Sequence, residues 1–403
     1  MAQVLGVKQL SEILSNRRVV DMDNMIHRLD PNVDPFMYFM SELGKNSCYN
    51  PKFEWLEKDN IANWSDITSY TGFAGASSGV ITVPETSYFR AGDVIQIPKS
   101  DFSIPVNLVI SAVSTTSGAG TITCQTVDGS NITPSWTTPA TDAIKILSSS
   151  DEEGSPNRDA KSTVSISRYN YIQIFKTDVA LTEVMDASKL YGEQDRAEQQ
   201  KEKGIEHTRK IEQALFFGSR NVLATGVVQG VNRQYFTGGV YNLLNAFDST
   251  VIDTDANGTL TEAEWNAWLL EALRYGSEKK VVFCAEIFAS AITSWAQNNL
   301  RVTNMKQTSY GMKIVEWIHP VRGSVKIIVH NRVFDKAPYN GMAICLDLDN
   351  TKYRFLNGLD TKLHTNIQND NTTEFKDEFR TYAGLQISVP KTHRVLKGVT
   401  AYA

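Results

Sequence analysis

Cysteine and histidine are scarce in this chain, and neither is grouped. The four cysteines, Cys48, Cys124, Cys284 and Cys345, lie far apart with no C-x-x-C pair, which argues against a disulfide framework or a zinc site and for small buried thiols. The six histidines, His27, His207, His319, His330, His364 and His393, never fall at a metal or triad spacing. They read as surface or hydrogen-bonded side chains. No basic cluster is present either: the formal charge is −5, whereas a protein whose main partner is nucleic acid needs a concentrated positive surface. Long apolar runs are missing too. The opening of the chain mixes Lys8, Glu12, Arg17 and Arg18 with short apolar pieces, so neither a signal-peptide core nor a bilayer span is expected, and the product is expected to stay in the cytosol. Strict β-α-β-α alternation and internal repeats are also lacking, which argues against a doubly wound nucleotide-binding fold.

What is present is an ordinary globular composition, 41% apolar and 21% charged over 403 residues, enough for two or three domains with cores of their own. The most informative segment is 170–218, where an aromatic-rich strand gives way to a long helix charged on nearly every side. Only Ala197, Gly204, Ile205, Thr208, Ile211 and Leu215 form a thin apolar line along it. A helix in a compact core needs a wider stripe. This one is expected to seat on a single neighbour, leaving the rest wet or facing another subunit, with Glu206 and Lys210 supporting it at i,i+4 spacing. Gly218, just after Ile211, Leu215 and Phe216, is a good residue to end it.

Flanking this beam, the chain divides into unequal pieces. In 1–60, Asp34 and Pro35 open a short helix with Phe36, Phe39, Met40 and Leu43 on one face. That face is very apolar for so short an element, so it is expected to dock elsewhere, on another domain or another chain. Residues 80–147 change character, with short β-rich runs separated by glycine and proline turns. They predict an inserted small antiparallel barrel or sandwich. Arg90, Lys99 and Lys145 are balanced there by Glu85, Asp93, Asp101, Asp128 and Asp142, which suits a surface or inter-subunit decoration better than a nucleic-acid groove. The stretch 148–157 (SSSDEEGSPN) is a polar linker. Beyond the beam, Trp265, Trp268, Leu269, Ala272 and Leu273 repeat at helical spacing, and 280–284, 312–318, 325–330 and 342–348 read as strands.

Two strings imitate functional sites. Residues 75–79 satisfy G-x-S-x-G, but a strand ending in Pro84 follows, whereas a nucleophile elbow runs into a helix. The stretch 253–264 (DTDANGTLTEAE) fits an EF-hand loop. Asp253, Asp255 and Asn257 would supply oxygens, Gly258 the turn, Thr259 a carbonyl and Glu264 a bidentate carboxylate to calcium. The local alternative is a turn followed by the capping box Thr261/Glu264 of the helix containing Trp265. True EF-hands use the same cap, so it decides nothing; the β-branched approach 249–252 and the lack of an entering helix weigh against the metal.

The passage RYNYIQIFKT at 168–177 into KIEQALFFG at 210–218 resembles the strand-to-spine-helix region of tailed-bacteriophage major capsid proteins. DMDNMIHRLDPNVDPF at 21–36 with NPKFEWLEKD at 50–59 is similar to their amino-terminal arm and first long-loop strand, and RTYAGLQISVP at 380–390 to their closing strand. The resemblance implies an α+β phage major-capsid fold, the two-domain fold shared with encapsulins and the herpesvirus capsid floor. Its expected parts are an arm and loop start in 1–60, a long-loop connector in 61–79, the insertion in 80–147, and a linker with the returning loop strand in 148–181. The spine helix and peripheral domain would fill 182–260, the axial domain mainly 261–350, and the return to the peripheral domain 351–403. It further implies a non-enzymatic virion protein, assembled in host cytoplasm into hexamers and pentamers around packaged double-stranded DNA. Portal and possibly scaffold or decoration proteins would be partners, a separate scaffold being expected because the arm begins almost at once; no membrane is involved. Phe36, Phe39, Met40, Trp55, Tyr169 and Tyr171 are the candidate assembly residues. No cofactor is expected, calcium at the 253–264 loop aside. The alternative is an extracellular or surface-layer binding protein with a calcium-binding loop.

Overall fold

The computed structural model describes residues 45–58, 63–71, 76–97, 106–114, 120–131, 143–155, 161–188, 195–227, 230–255, 257–298, 306–307, 313–319, 323–330 and 332–403. The expected helix carrying Phe36, Phe39, Met40 and Leu43 lies outside them. The chain forms two compact units, one of Met1–Trp55 with Arg168–Ala403 and the other of Leu56–Ser167.

In the second unit, alternation with period two puts Ile81, Val83, Ile95, Ile97, Leu108, Ile110, Ile122, Cys124 and Ile144 on one buried face, with Phe89 filling the middle. The strand order is Trp64–Asp66, Ala143–Ser149, Asp93–Ile97, Val106–Ser114, Gly120–Thr126, Ser78–Val83 and Ser69–Thr71. The first and last are two halves of one bent stretch of chain, since only Ile67 and Thr68 separate them, and the Thr68 amide donates to Thr82 O at 2.9 Å. Both sheet edges are therefore covered by the same segment, and the sheet closes into an antiparallel barrel. Register shifts at Val94/Ile95 and Ile110/Ala112 supply bulges that help it curve. The Lys161 ammonium donates to the buried Asp93 carboxylate and to Tyr88 O, both at 2.9 Å, tying the outgoing chain to the barrel wall.

Among the described residues the first unit holds two large sheets, some two-stranded pairings and five α-helices: α1 (Glu183–Ala187), α2 (Asp195–Phe217), α3 (Val240–Phe247), α4 (Glu262–Ala272) and α5 (Glu286–Asn298). One sheet is ordered Lys45–Cys48, Thr351–Leu356, Glu374–Ile387 and Gln173–Thr182, with Lys362–His364 also on Glu374–Ile387. The other is mixed, and its central strands Lys280–Cys284 and Ala343–Asp347 are buried at every position. Such strands must read as continuous apolar runs, because both faces are covered. Trp265, Trp268, Phe288 and Trp295 of α4 and α5 belong to that core.

The spine helix α2 docks through the face 196–200–204–207–211–215, which shares Gly204, Ile211 and Leu215 with the apolar line read from sequence but not its other three residues. Ala197 and Ile205 face outward. At its start Arg196 grips Asp377 with Nε at 3.0 Å and Nη2 at 2.7 Å, and Gln200 donates to the same carboxylate at 2.8 Å. Midway, Gly204 lies over Phe379, and His207 sits between the Thr177 and Thr381 hydroxyls at 3.0 and 2.8 Å. Only the last turns are apolar: Ile211, Leu215 and Phe216 are buried, with Phe216 edge-on to Phe283 and Phe334. Gly218 ends the helix because a Cβ there would lie 2.4 Å from Ala214 O and 2.7 Å from Thr237 O.

Candidate assembly surfaces

The strand Lys52–Glu57 pairs only with Ile166–Tyr171 among the described residues, making a two-stranded ribbon. Its base, within the first unit, is built from aromatics and cations. Phe53 and Trp55 are buried by strand alternation, Trp55 edge-on to Phe247 at 5.9 Å and stacked with Phe53 at 6.0 Å. Tyr169 meets Tyr171 edge-on, and Tyr171 meets Tyr235. Arg220 lies 4.2 Å over Tyr169 and donates to its carbonyl, Arg168 lies 4.7 Å over Phe247, and Lys52 lies 4.5 Å over Tyr169. Each such contact contributes about 0.5–2 kcal/mol, depending on how dry it is. Trp55 is therefore spent on packing within the protomer, at 8% exposure, while Tyr169 and Tyr171 are half-buried at the ribbon base.

The residue that locks this base is Asn170, which the sequence reading passed over. It is fully buried, donating to Thr237 Oγ1, Gly238 O and Leu385 O at 3.3, 3.0 and 2.6 Å and accepting from the Tyr171 and Gly238 amides at 2.8 Å each. Asparagine is depleted in strands. One in the middle of an aromatic strand was the available signal.

Beside the ribbon base opens a groove of about 750 Å³, lined among others by Tyr49, Lys52, Tyr171, Arg233, Tyr235 and Arg354. Lys52 is paired with Glu54. Arg354 donates Nε to the neutral Gln386 at 2.7 Å.

The 253–264 loop clasps the end of the chain. Ile252–Thr254 runs parallel to Arg394–Lys397, and the Arg394 guanidinium takes the Asp253 carboxylate bidentately, Nε to Oδ2 at 2.5 Å and Nη2 to Oδ1 at 2.9 Å. Asp255 Oδ1 accepts from the Asn257 amide and Asn257 Oδ1 from the Thr259 amide, at 3.2 and 2.9 Å. Gly258, at φ +74°, offers its carbonyl to Thr400 N and Ala401 N, while Thr259–Leu260 pairs with Ala401–Tyr402. Glu264 Oε2 closes the capping box on Thr261, and hydrogen bonds from that residue hold its carboxyl below the usual range. Two of the expected calcium carboxylates, Asp253 and Glu264, thus already have partners; Asp255 keeps Oδ2 enclosed without a protein partner. Among the described residues no three His, Cys, Asp or Glu side chains converge as a metal site.

The buried polar groups of the first unit act as fasteners. His330 Nε2 meets Glu212 Oε1 at 2.6 Å, both side chains buried, joining the spine to the end of Gly323–Val329. Lys280 sits among the carbonyls of Ala272, Tyr275 and Thr392 at 2.5, 2.5 and 2.8 Å, and burial lowers its pKa. Burial pushes the thiols of Cys124, Cys284 and Cys345 up to about 12, which leaves them unreactive at neutral pH. Ser77, the serine of the G-x-S-x-G string, leads into the strand Ser78–Val83, with no helix after it.

Residues 6–400 match the family of the SU10 major capsid protein. The chain belongs to that family. The match spans nearly the whole chain, and it overturns the alternative of an extracellular calcium-loop binding protein. The subunit is a major capsid protein of phage-like capsids, a structural role. No curated protein matches the chain. Among solved structures, the capsid of a native GTA particle is similar at 7% identity over 98% of both chains, with a TM-score of 0.48. The SrpI encapsulin of Synechococcus elongatus is 11% identical over 60% of this chain and 80% of its own, with a TM-score of 0.44. Mycobacterium phage Patience follows at 12% identity over 64% and 80%, with a TM-score of 0.37.

Proposed function

We propose that this subunit self-assembles into hexamers and pentamers that close an icosahedral head around packaged double-stranded DNA, in host cytoplasm, with a portal protein and a scaffold or decoration protein as partners. The observation that carries the reading, beyond family membership, is the ribbon of Lys52–Glu57 and Ile166–Tyr171, which joins no larger sheet among the described residues. An isolated two-stranded ribbon is marginal in water, and this one leaves Leu56 74% and Ile166 51% exposed. Such an element gains its remaining stability from neighbouring copies, and mass action then favours the folded lattice. A net charge of −5 lets DNA lie against the wall with little adhesion. Light scattering and negative-stain imaging of the purified full chain at rising concentration test the proposal. Capsomers or closed shells are expected; a monodisperse monomer at every concentration and salt overturns it.

A further inference from the structure

We propose that the groove beside the ribbon base receives the acidic turn 151–153 of a second copy of this chain. This inference rests on the assembly reading above and names the partner surface that reading leaves open. Subunits with a net charge of −5 repel one another, so association needs local patches of the opposite sign. The groove is such a patch. Lys52 and Glu54 cancel each other, while Arg233 and Arg354 have no carboxylate partner among the described residues. Tyr49, 80% exposed, and the half-buried Tyr171 and Tyr235 give the walls phenol hydroxyls and flat apolar faces suited to an extended backbone.

The complementary element is on the same chain. Asp151, Glu152 and Glu153 are consecutive and all exposed, presented on a turn in which the Ser155 amide donates to Glu152 O at 3.1 Å. Gly154, at φ +79° with nothing within 4 Å of where a Cβ would stand, keeps the turn slim enough to enter a groove. Arginine forks bind carboxylates bidentately, so two arginines facing the Glu152 and Glu153 carboxylates define a register as well as an attraction.

The experiment uses two charge-reversed full-length chains. One carries Arg233→Glu and Arg354→Glu in the groove; the other carries Glu152→Arg and Glu153→Arg in the turn. Each alone is expected to need about tenfold more protein than wild type to form particles at low salt, a gap that closes as salt screens the charges. An equimolar mixture should assemble near the wild-type concentration, because each reversed groove can then meet a reversed turn on a neighbour. Arg233→Glu alone, on an exposed side chain, repeats the groove arm should the double variant misfold. Reversed chains that assemble like wild type overturn this inference while leaving the assembly reading intact. Loss in both chains with no rescue in the mixture also overturns it. A wild-type chain that never assembles overturns both.

Discussion

His393 should make this fold lose stability on mild acidification. It is fully buried; the Asp347 amide donates to Nδ1 at 3.1 Å, and Nε2 lies 3.3 Å from Ser388 O. Nδ1 must therefore be the unprotonated nitrogen, and a second proton would face an N–H donor. Burial is the main cause that holds the imidazole down to about 4, with Asp347 pulling it up and Lys280 pushing it down. Since the folded pKa lies below the ordinary 6.5, the unfolded chain takes up the proton first. The contribution is fully present above 6.5, falls as the pH drops toward 4, and changes no further below that. Between pH 7 and pH 5 the loss works out at about 2 kcal/mol. Urea denaturation followed by fluorescence of the core tryptophans, at those two pH values, reads it directly. His393→Gln should lower stability at pH 7 by about 1 kcal/mol through poorer hydrogen bonding, yet remove most of the pH dependence. Part of the residual slope belongs to His207, whose pKa burial and Lys210 also lower, and His207→Gln measures that part; the lowered carboxyls of Glu206, Glu264 and Glu378 supply more toward pH 5. An undiminished slope in His393→Gln would refute the argument.

Three further outcomes follow from the geometry. Gly218→Ala, with its Cβ forced to 2.4 Å from Ala214 O, should cost about 1–3 kcal/mol in thermal or urea melts, and a neutral result would mean that the spine can end differently. Arg196→Ala should cost about 1–2 kcal/mol, below the fully buried case because Arg196 remains a quarter exposed. Burial alone would raise the Asp377 carboxyl, but hydrogen bonds from Arg196, Asn366 and Gln200 hold it low, so the grip persists above about pH 4 and fades as the pH falls through the lowered pKa. Melting should not shift between chelator and millimolar calcium, while Thr261→Ala should cost about 1 kcal/mol through the lost helix cap. A calcium-dependent rise abolished by Asp255→Ala would mean that the enclosed Oδ2 of Asp255 has a metal partner after all.

How far the sequence could be read depended on the distance over which each side chain finds its partner. The spine, its stop at Gly218, the tryptophan-bearing α4 and the strands on either side of Gly323 depend on local period and turn chemistry, and these were legible. Which face of the spine docks was not. Apolar residues alone pointed to Ile205, whereas the helix seats through Arg196, His207 and Glu212 on Asp377, Thr381 and His330, all more than a hundred positions away. Polar docking leaves no periodic trace, because a buried charge and a solvated one are the same letter. The 253–264 loop makes the same point from the opposite direction. Its local pattern specifies a cation among carboxylates, and the fold answers at Asp253 with a cation of its own, the Arg394 guanidinium from 141 positions downstream. A guanidinium there does what a metal would do for that carboxylate and also fastens the closing strand, so the loop holds the end of the chain through a covalently carried ion.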